Sequence, residues 1–219
     1  MERILEPELM DDPEQALVYA RADFSQENQG FVDRFHEYFP DFSEGHVLDL
    51  GCGPGDIPIR FALAFPSCHL TGVDASEPMV RLAEEAVQQA NLSGRIAFRC
   101  VRFQDLAGAN VADAAISNSL LHHVPNPLQF WHKLRLAVKP GSPVLVMDLL
   151  RPESPEEAQA IVDRYASGAP DILRRDFYNS LLAAFTEDEI GSQLARMNLT
   201  RLLIDVVDDR HWVVSGMIH

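Results

Sequence analysis

The sequence predicts an α/β fold of the Rossmann-like, doubly wound kind: a seven-stranded sheet, mostly parallel with an antiparallel C-terminal strand, and helices on both faces. Three observations predict it. Short β-rich runs alternate with helical patterns, a glycine-rich turn "GCGPG" follows the first of those runs, and the chain closes on two runs joined only by "DDR". Strands separated by helices need crossover connections, which builds a parallel sheet covered on both faces. A three-residue link is too short for a crossover and demands an antiparallel hairpin.

Taken in order, residues 12 to 39 carry Leu17, Val18, Phe31, Val32, Phe35 and Phe39 at helical spacing, interrupted near "SQENQG". That pattern predicts two helices ahead of the first strand, with the polar stretch as a hinge between them. Strands are predicted at 46–50 (HVLDL), 69–73 (HLTGV), 95–101 (RIAFRCV), 113–117 (DAAIS) and 143–148 (PVLVMD). Helical patterns at 56–65, 76–90 and 127–137 fall between them. The stretch from about 151 to 185 is too long for a plain crossover and reads as a helical insertion. Runs 199–207 and 211–217 form the closing hairpin.

The 219 residues, 47% hydrophobic and 23% charged, predict one globular unit that buries roughly 70% of its unfolded surface. Residues 1–39 are expected to form an N-terminal helical lid over a domain spanning 40–219. A formal net charge of -15 repels both a polyphosphate backbone and an anionic membrane surface, so neither nucleic acid nor membrane is an expected partner. Cys52, Cys68 and Cys100 are odd in number and lack CxxC spacing, which suggests neither a disulfide framework nor a zinc site. With acidic residues after Met1 and no apolar run of about 18 residues, a soluble cytoplasmic protein is expected, monomeric or homodimeric.

"VLDLGCGPGD" occupies the first βα turn, at the carboxyl edge of the sheet where such folds bind ligands. Gly51, Gly53 and Gly55 let a ligand approach the backbone, Asp56 is expected to cap the following helix, and Pro58 sits in its first turn. Dinucleotides and S-adenosylmethionine both use this geometry. The dinucleotide fingerprint is G-x-G-x-x-G, whereas here the spacing is G-x-G-x-G and Asp56 stands at the last fingerprint position, where a carboxylate repels a pyrophosphate. S-adenosylmethionine carries no phosphate and tolerates Asp49 and Asp56. Asp74, 23 positions beyond Gly51 in "TGVDAS", suits the vicinal diol of a ribose or the N-cap of the next helix equally well.

From about residue 45 onward the chain resembles the class I S-adenosylmethionine-dependent methyltransferases of the small-molecule type. "VLDLGCGPGD", "GVDASEPMV", "FQDL", "AISNSLLHHVPNP" and "LAVKPGSPVLVMD" are similar to that family's five motifs, in order. The resemblance implies that Asp49, Gly51, Cys52, Gly53 and Gly55 cradle the methionyl end and that Asp74 grips the ribose. It further implies that Ala75 and Met79 flank the adenine, that Gln104, Asp105 and Leu106 meet its edge, and that Asn118, Ser119 and His123 border the methionyl and sulfonium end. Tyr19 matches a tyrosine that, in parts of the family, meets the methionyl carboxylate. Two departures stand out. The double glycine that usually closes the fifth motif is Gly141-Ser142, and "SNSL" replaces the Asn/Asp-Pro-Pro-aromatic tetrad of base-directed enzymes. The second departure, with the net charge, points to a small-molecule acceptor or another protein rather than a nucleobase.

A sulfonium is already a strong methyl donor, so most catalysis is expected from in-line alignment and exclusion of water. A protonated acceptor also needs a base, and His122 and His123 after the fourth strand stand where one belongs, although either could simply pack on the cofactor. No metal is expected, because adjacent histidines in extended chain point apart and no third ligand lies at suitable spacing. Phe24, in "YARADF", and Arg175, Tyr178 and Asn179, in the insertion, are the candidate acceptor contacts. The competing readings are a catalytically silent S-adenosylmethionine-binding partner subunit and, disfavoured by Asp56, an NAD-dependent dehydrogenase.

Overall fold

The structure is a computed structural model that describes residues 1–6, 11–108 and 111–219. Helices α1 (Pro13–Ala20) and α2 (Ser25–Tyr38) precede strand β1 (Glu44–Leu50), after which α3 (Asp56–Ala64), β2 (Ser67–Asp74), α4 (Glu77–Gln89), β3 (Ile96–Cys100) and β4 (Ala114–Asn118) alternate. Next come α5 (Pro127–Ala137), β5 (Pro143–Leu149), α6 (Pro155–Tyr165), α7 (Asp171–Ala183), α8 (Glu187–Arg196), β6 (Leu203–Val206) and β7 (His211–Met217). The sheet order is β3-β2-β1-β4-β5-β7-β6, with β7 antiparallel to both neighbours and the other pairings parallel. The predicted doubly wound sheet and its terminal hairpin are therefore present. The strand order reverses between β1 and β4, which opens a crevice at their carboxyl ends.

Period-two alternation assigns the side chains to two cores. Leu48, Leu50, Ala115, Val144, Val146, Trp212 and Val214 face α5 and α8 and pack with Trp131 and Leu194. Val47, Ala114, Ile116, Leu145, Met147 and Val213 face the other way, onto Phe31, Phe35, Phe61 and Phe65. Because both faces are covered, β5 is buried along its whole length. The insertion closes a third cluster, in which Ile161 and Val162 of α6 meet Leu181 and Leu182 of α7 beside Leu149.

Three local expectations are corrected. "SQENQG" is not a hinge: α2 begins at Ser25, and the break lies at residues 21–24, where the Asp23 carboxylate accepts the Ser25 backbone N–H at 3.1 Å. The polar stretch is simply the exposed first turn of a helix whose apolar stripe starts at Phe31. The run 199–207 is strand only from Leu203, because Leu199 and Leu202 turn into the core first. Finally, Phe31, Val32 and Phe35 are completely or almost completely buried, so α2 is built into the core, and any lid is confined to residues 1–24, of which 7–10 lie outside the described residues.

Among the described residues no helix is long and apolar enough to cross a membrane.

Candidate active site

The glycine turn lies at the β1/β4 crevice, and all three of its glycines have positive φ: Gly51 at 76°, Gly53 at 51° and Gly55 at 86°. They serve different ends. A Cβ on Gly55 would meet Ala83 Cβ at 2.9 Å, and one on Gly51 would meet Leu120 at 2.9 Å, so these two permit close packing. A Cβ on Gly53 would meet nothing within 4 Å. Gly53 therefore fronts open space, and its N–H donates to Asp74 Oδ2 at 2.9 Å. Asp74 also accepts the Ser76 N–H at 2.9 Å, while Ser76, not Asp74, caps α4. Gly55, not Asp56, stands at the N-cap of α3, and the Asp56 carboxylate turns to Arg60 at 2.7 Å and Asn28 at 2.8 Å. With Arg60 partly offsetting it, Asp56 opposes a pyrophosphate less strongly than its position in the sequence implies.

A cavity of about 170 Å³ borders this turn, lined among others by Tyr19, Phe24, Gly51, Cys52, Gly53 and Asn118. Tyr19 and Phe24 pack ring to ring at 5.0 Å. Below the turn, Asp49 is buried and its Oδ2 has no hydrogen-bond partner; burial and nearby Asp74 push its carboxyl up to about 8. An orphaned buried carboxylate under an open glycine turn fits a ligand that brings a cation, as the ammonium of S-adenosylmethionine does. Ala75 follows Asp74 ahead of the Ser76 cap, buried Met79 lies in the first turn of α4, and Gln104, exposed Asp105 and half-buried Leu106 lie just beyond β3, the neighbour of β2. The sheet thus gathers the residues expected at the adenine end. Ser119 leaves β4 with φ of 55°, a left-handed conformation uncommon outside glycine.

The histidines occupy a 3-10 turn, Leu121–His123, directly after β4. The expectation that they point apart fails, since alternation holds for extended chain and not for a tight turn: their ring centroids are 4.1 Å apart. Buried His122 donates from Nδ1 to Asp148 Oδ1 at 2.5 Å, while its backbone N–H reaches Asp148 Oδ2 at 3.1 Å. Its Nε2 faces Glu6 Oε1 at 3.4 Å, and His123 Nδ1 faces the same oxygen at 3.2 Å. The missing third group is thus supplied by Glu6, which Arg3 helps to place. The Arg3 guanidinium donates to the carbonyls of Ala183 (2.5 Å) and His122 (2.7 Å) and lies over the Phe185 ring at 3.9 Å. Burial lowers the His122 pKa, but Asp148 and Glu6 outweigh it and the net shift is upward; burial raises that of Glu6.

Arg175 and Tyr178 do not join this site. They line a separate cavity of about 270 Å³ between α6 and α7, with Arg174 and Gln159, and Asn179 is half-buried on α7. Arg3, Glu6 and Asp148 escaped the sequence reading. Only Asp148 left a signal, as a carboxylate inside a strand of otherwise apolar residues.

The methyltransferase-domain family matches residues 41–180 of this chain. The chain belongs to that family. It is a class I S-adenosylmethionine-dependent methyltransferase by family and fold, and its cofactor is S-adenosylmethionine. Among relatives of this methyltransferase, 27-O-demethylrifamycin SV methyltransferase of Amycolatopsis mediterranei is 28% identical over 158 residues, 69% of this chain and 57% of that protein. Demethylmenaquinone methyltransferase of Porphyromonas gingivalis is 29% identical, over 75% of this chain and 68% of its own length. The matched region thus spans little more than half of the first relative. In fold, the methyltransferase is similar to the plantazolicin methyltransferase solved with a pentazolic desmethylPZN analogue and SAH, with a TM-score of 0.70 at 16% identity over 93% of this chain and 90% of the other.

Proposed function

We propose that this methyltransferase transfers the methyl group of S-adenosylmethionine, in line, to an ionisable O–H or N–H of a small organic molecule. One observation carries the reading. Tyr19, Gly51, Gly53 and Asn118 line one cavity, and the turn that carries His122 and His123 begins three residues after Asn118, at the end of β4. The candidate base thus follows directly on the strand end that borders the donor cradle. The relatives named for rifamycin and menaquinone precursors support a small organic acceptor.

When bound, S-adenosylmethionine supplies an electrophilic methyl group. The chain does the rest. Asp49 and the carbonyl of Asn118 receive the ammonium, Asp74 the ribose hydroxyls, and Tyr19 with Phe24 shuts water out of the methionyl end. His122 Nε2 takes the acceptor's proton, while Asp148 fixes the Nδ1–H tautomer and balances the imidazolium that forms. Residues 1–24 close over the acceptor as a lid.

The test is transfer of labelled methyl from S-adenosylmethionine to a panel of phenols, quinols and amines. Labelled product with release of S-adenosylhomocysteine supports the reading. Binding of S-adenosylhomocysteine with no turnover on any acceptor class would favour a silent binding subunit.

A further inference from the structure

We propose that Glu6, His122 and His123 form a binding site for a divalent transition metal, with zinc as the reference ion. The inference goes beyond the reading above, resting on it only for the site's nearness to the donor cavity.

The geometry is that of ligands around a common ion. The donor atoms of the three residues all lie within 4.8 Å of one another, with Glu6 Oε1 at 3.4 Å from His122 Nε2 and 3.2 Å from His123 Nδ1. Four-coordinate zinc with bonds of about 2.1 Å separates its ligands by roughly 3.4 Å. Two imidazoles and one carboxylate are a ligand set this ion favours, and three protein ligands leave a fourth position for an exogenous oxygen.

The surroundings are built for it. A zinc-ligating imidazole commonly donates its other N–H to a carboxylate, which fixes the ring and turns the ligating lone pair toward the metal. Asp148 does this to His122 at 2.5 Å, and both residues are buried, at 3% and 1% exposure. Glu6 is held as firmly for an N-terminal residue: Ser180 Oγ donates to its Oε1 at 2.8 Å, Ile4 N–H donates to the Leu182 carbonyl at 3.0 Å, and Arg3 is tied as described. Only His123 is appreciably exposed, at 24% of its side chain, which leaves an approach on that side.

Charge gives the site a chemical use. Glu6 and Asp148 carry two negative charges and Arg3 one positive, so a divalent ion leaves a net charge of +1, which an anionic oxygen ligand closes. An acceptor O–H on the fourth position loses its proton to solvent more readily, as metal-bound water does. The oxygen lone pair then forms the new O–C bond, while the electron pair of the breaking S–C bond returns to sulfur. Both imidazoles serve as ligands in this state, and His122 Nε2 remains the base when no ion is bound.

The experiment titrates untagged, chelator-treated full-length protein with zinc chloride by calorimetry, with no acceptor present, and repeats it with Co²⁺ by visible absorption. One zinc per chain at micromolar affinity or tighter is expected, with the intense visible bands of four-coordinate Co²⁺. Glu6→Gln and His123→Ala should each weaken binding at least tenfold, and Asp148→Asn by roughly 10- to 100-fold. S-adenosylhomocysteine affinity, measured on the Glu6→Gln and Asp148→Asn samples, should stay within about threefold and certifies that both are folded; for His123→Ala, whose ring is expected beside the cofactor, a cooperative melting transition certifies folding instead. Zinc binding that is absent, or that ignores Glu6→Gln and His123→Ala, overturns the site. Retained S-adenosylhomocysteine binding in that case leaves the methyltransferase reading standing, and its loss in the wild-type protein overturns that reading separately.

Discussion

The Asp74 carboxylate accepts the Gly53 backbone N–H at 2.9 Å, so the end of β2 holds the tip of the first glycine turn. One side chain therefore both shapes the cradle and presents an oxygen to a ribose. Asp74→Ala removes both contributions, each a charge-assisted hydrogen bond worth roughly 1.5 to 3 kcal/mol. Affinity for S-adenosylhomocysteine should fall at least tenfold by calorimetry, and wild-type protein should show no tight binding of NAD. Tight NAD binding would reverse the ligand assignment.

Gly53 and Gly55 should separate ligand binding from folding. Gly53→Ala places its methyl in open space, so the left-handed backbone is its only penalty, about 1 to 2 kcal/mol. The methyl fills the room a ligand needs, and S-adenosylhomocysteine binding should be nearly lost in a folded protein. Gly55→Ala instead drives a methyl to 2.9 Å from Ala83 Cβ and 3.1 Å from Ala83 Cα, and should lower the melting temperature markedly more. Equal losses of stability in the two variants would refute this division.

Asp49 should make cofactor binding depend on pH. With its pKa raised to about 8 by burial and Asp74, it is protonated near neutrality in the free protein, and an ammonium beside it favours the ionised form. Binding at pH 7 should therefore release a proton, and affinity should rise with pH up to about 8. Calorimetry in buffers of different ionisation enthalpy reads that proton, and Asp49→Asn should abolish the release. Stability follows the opposite course. A carboxyl raised in the folded state contributes fully below its unfolded pKa, and this contribution is lost as pH climbs toward 8.

His122→Ala should lower the maximal rate by roughly 100-fold or more while cofactor affinity holds. Asp148→Asn should lower the same rate, because a neutral amide no longer fixes the Nδ1–H tautomer. Loss of cofactor binding with an unchanged rate at saturation would make His122 a packing residue.

Removal of residues 1–24 should leave a cooperatively unfolding protein that still binds cofactor, since α2, which carries the buried Phe31 and Phe35, is retained. Methyl transfer should nearly vanish with Arg3, Glu6 and Tyr19 gone. Proteolysis at the 21–24 break should slow when S-adenosylhomocysteine is added; a cleavage rate indifferent to the ligand would mark the segment as a fixed flank.

By itself the sequence determined the alternation of strands and helices, the antiparallel ending and the ligand turn, because these follow from local periodicity, glycine conformational freedom and the length of a three-residue link. It also located His122 and His123 at the end of β4. Its errors at "SQENQG" and at 199–207 share one cause, which is that an exposed first helical turn and a core-packed turn carry no period of their own. The company these residues keep was decided only by the tertiary structure. Asp148 meets His122 because β5 lies beside β4 in the sheet, and Glu6 meets both histidines because Arg3 is tied to carbonyls of Ala183 and His122. Such contacts join residues far apart in the chain, and no local pattern encodes them: they arise from the sheet order and from the need of buried charged groups for partners once water has been removed.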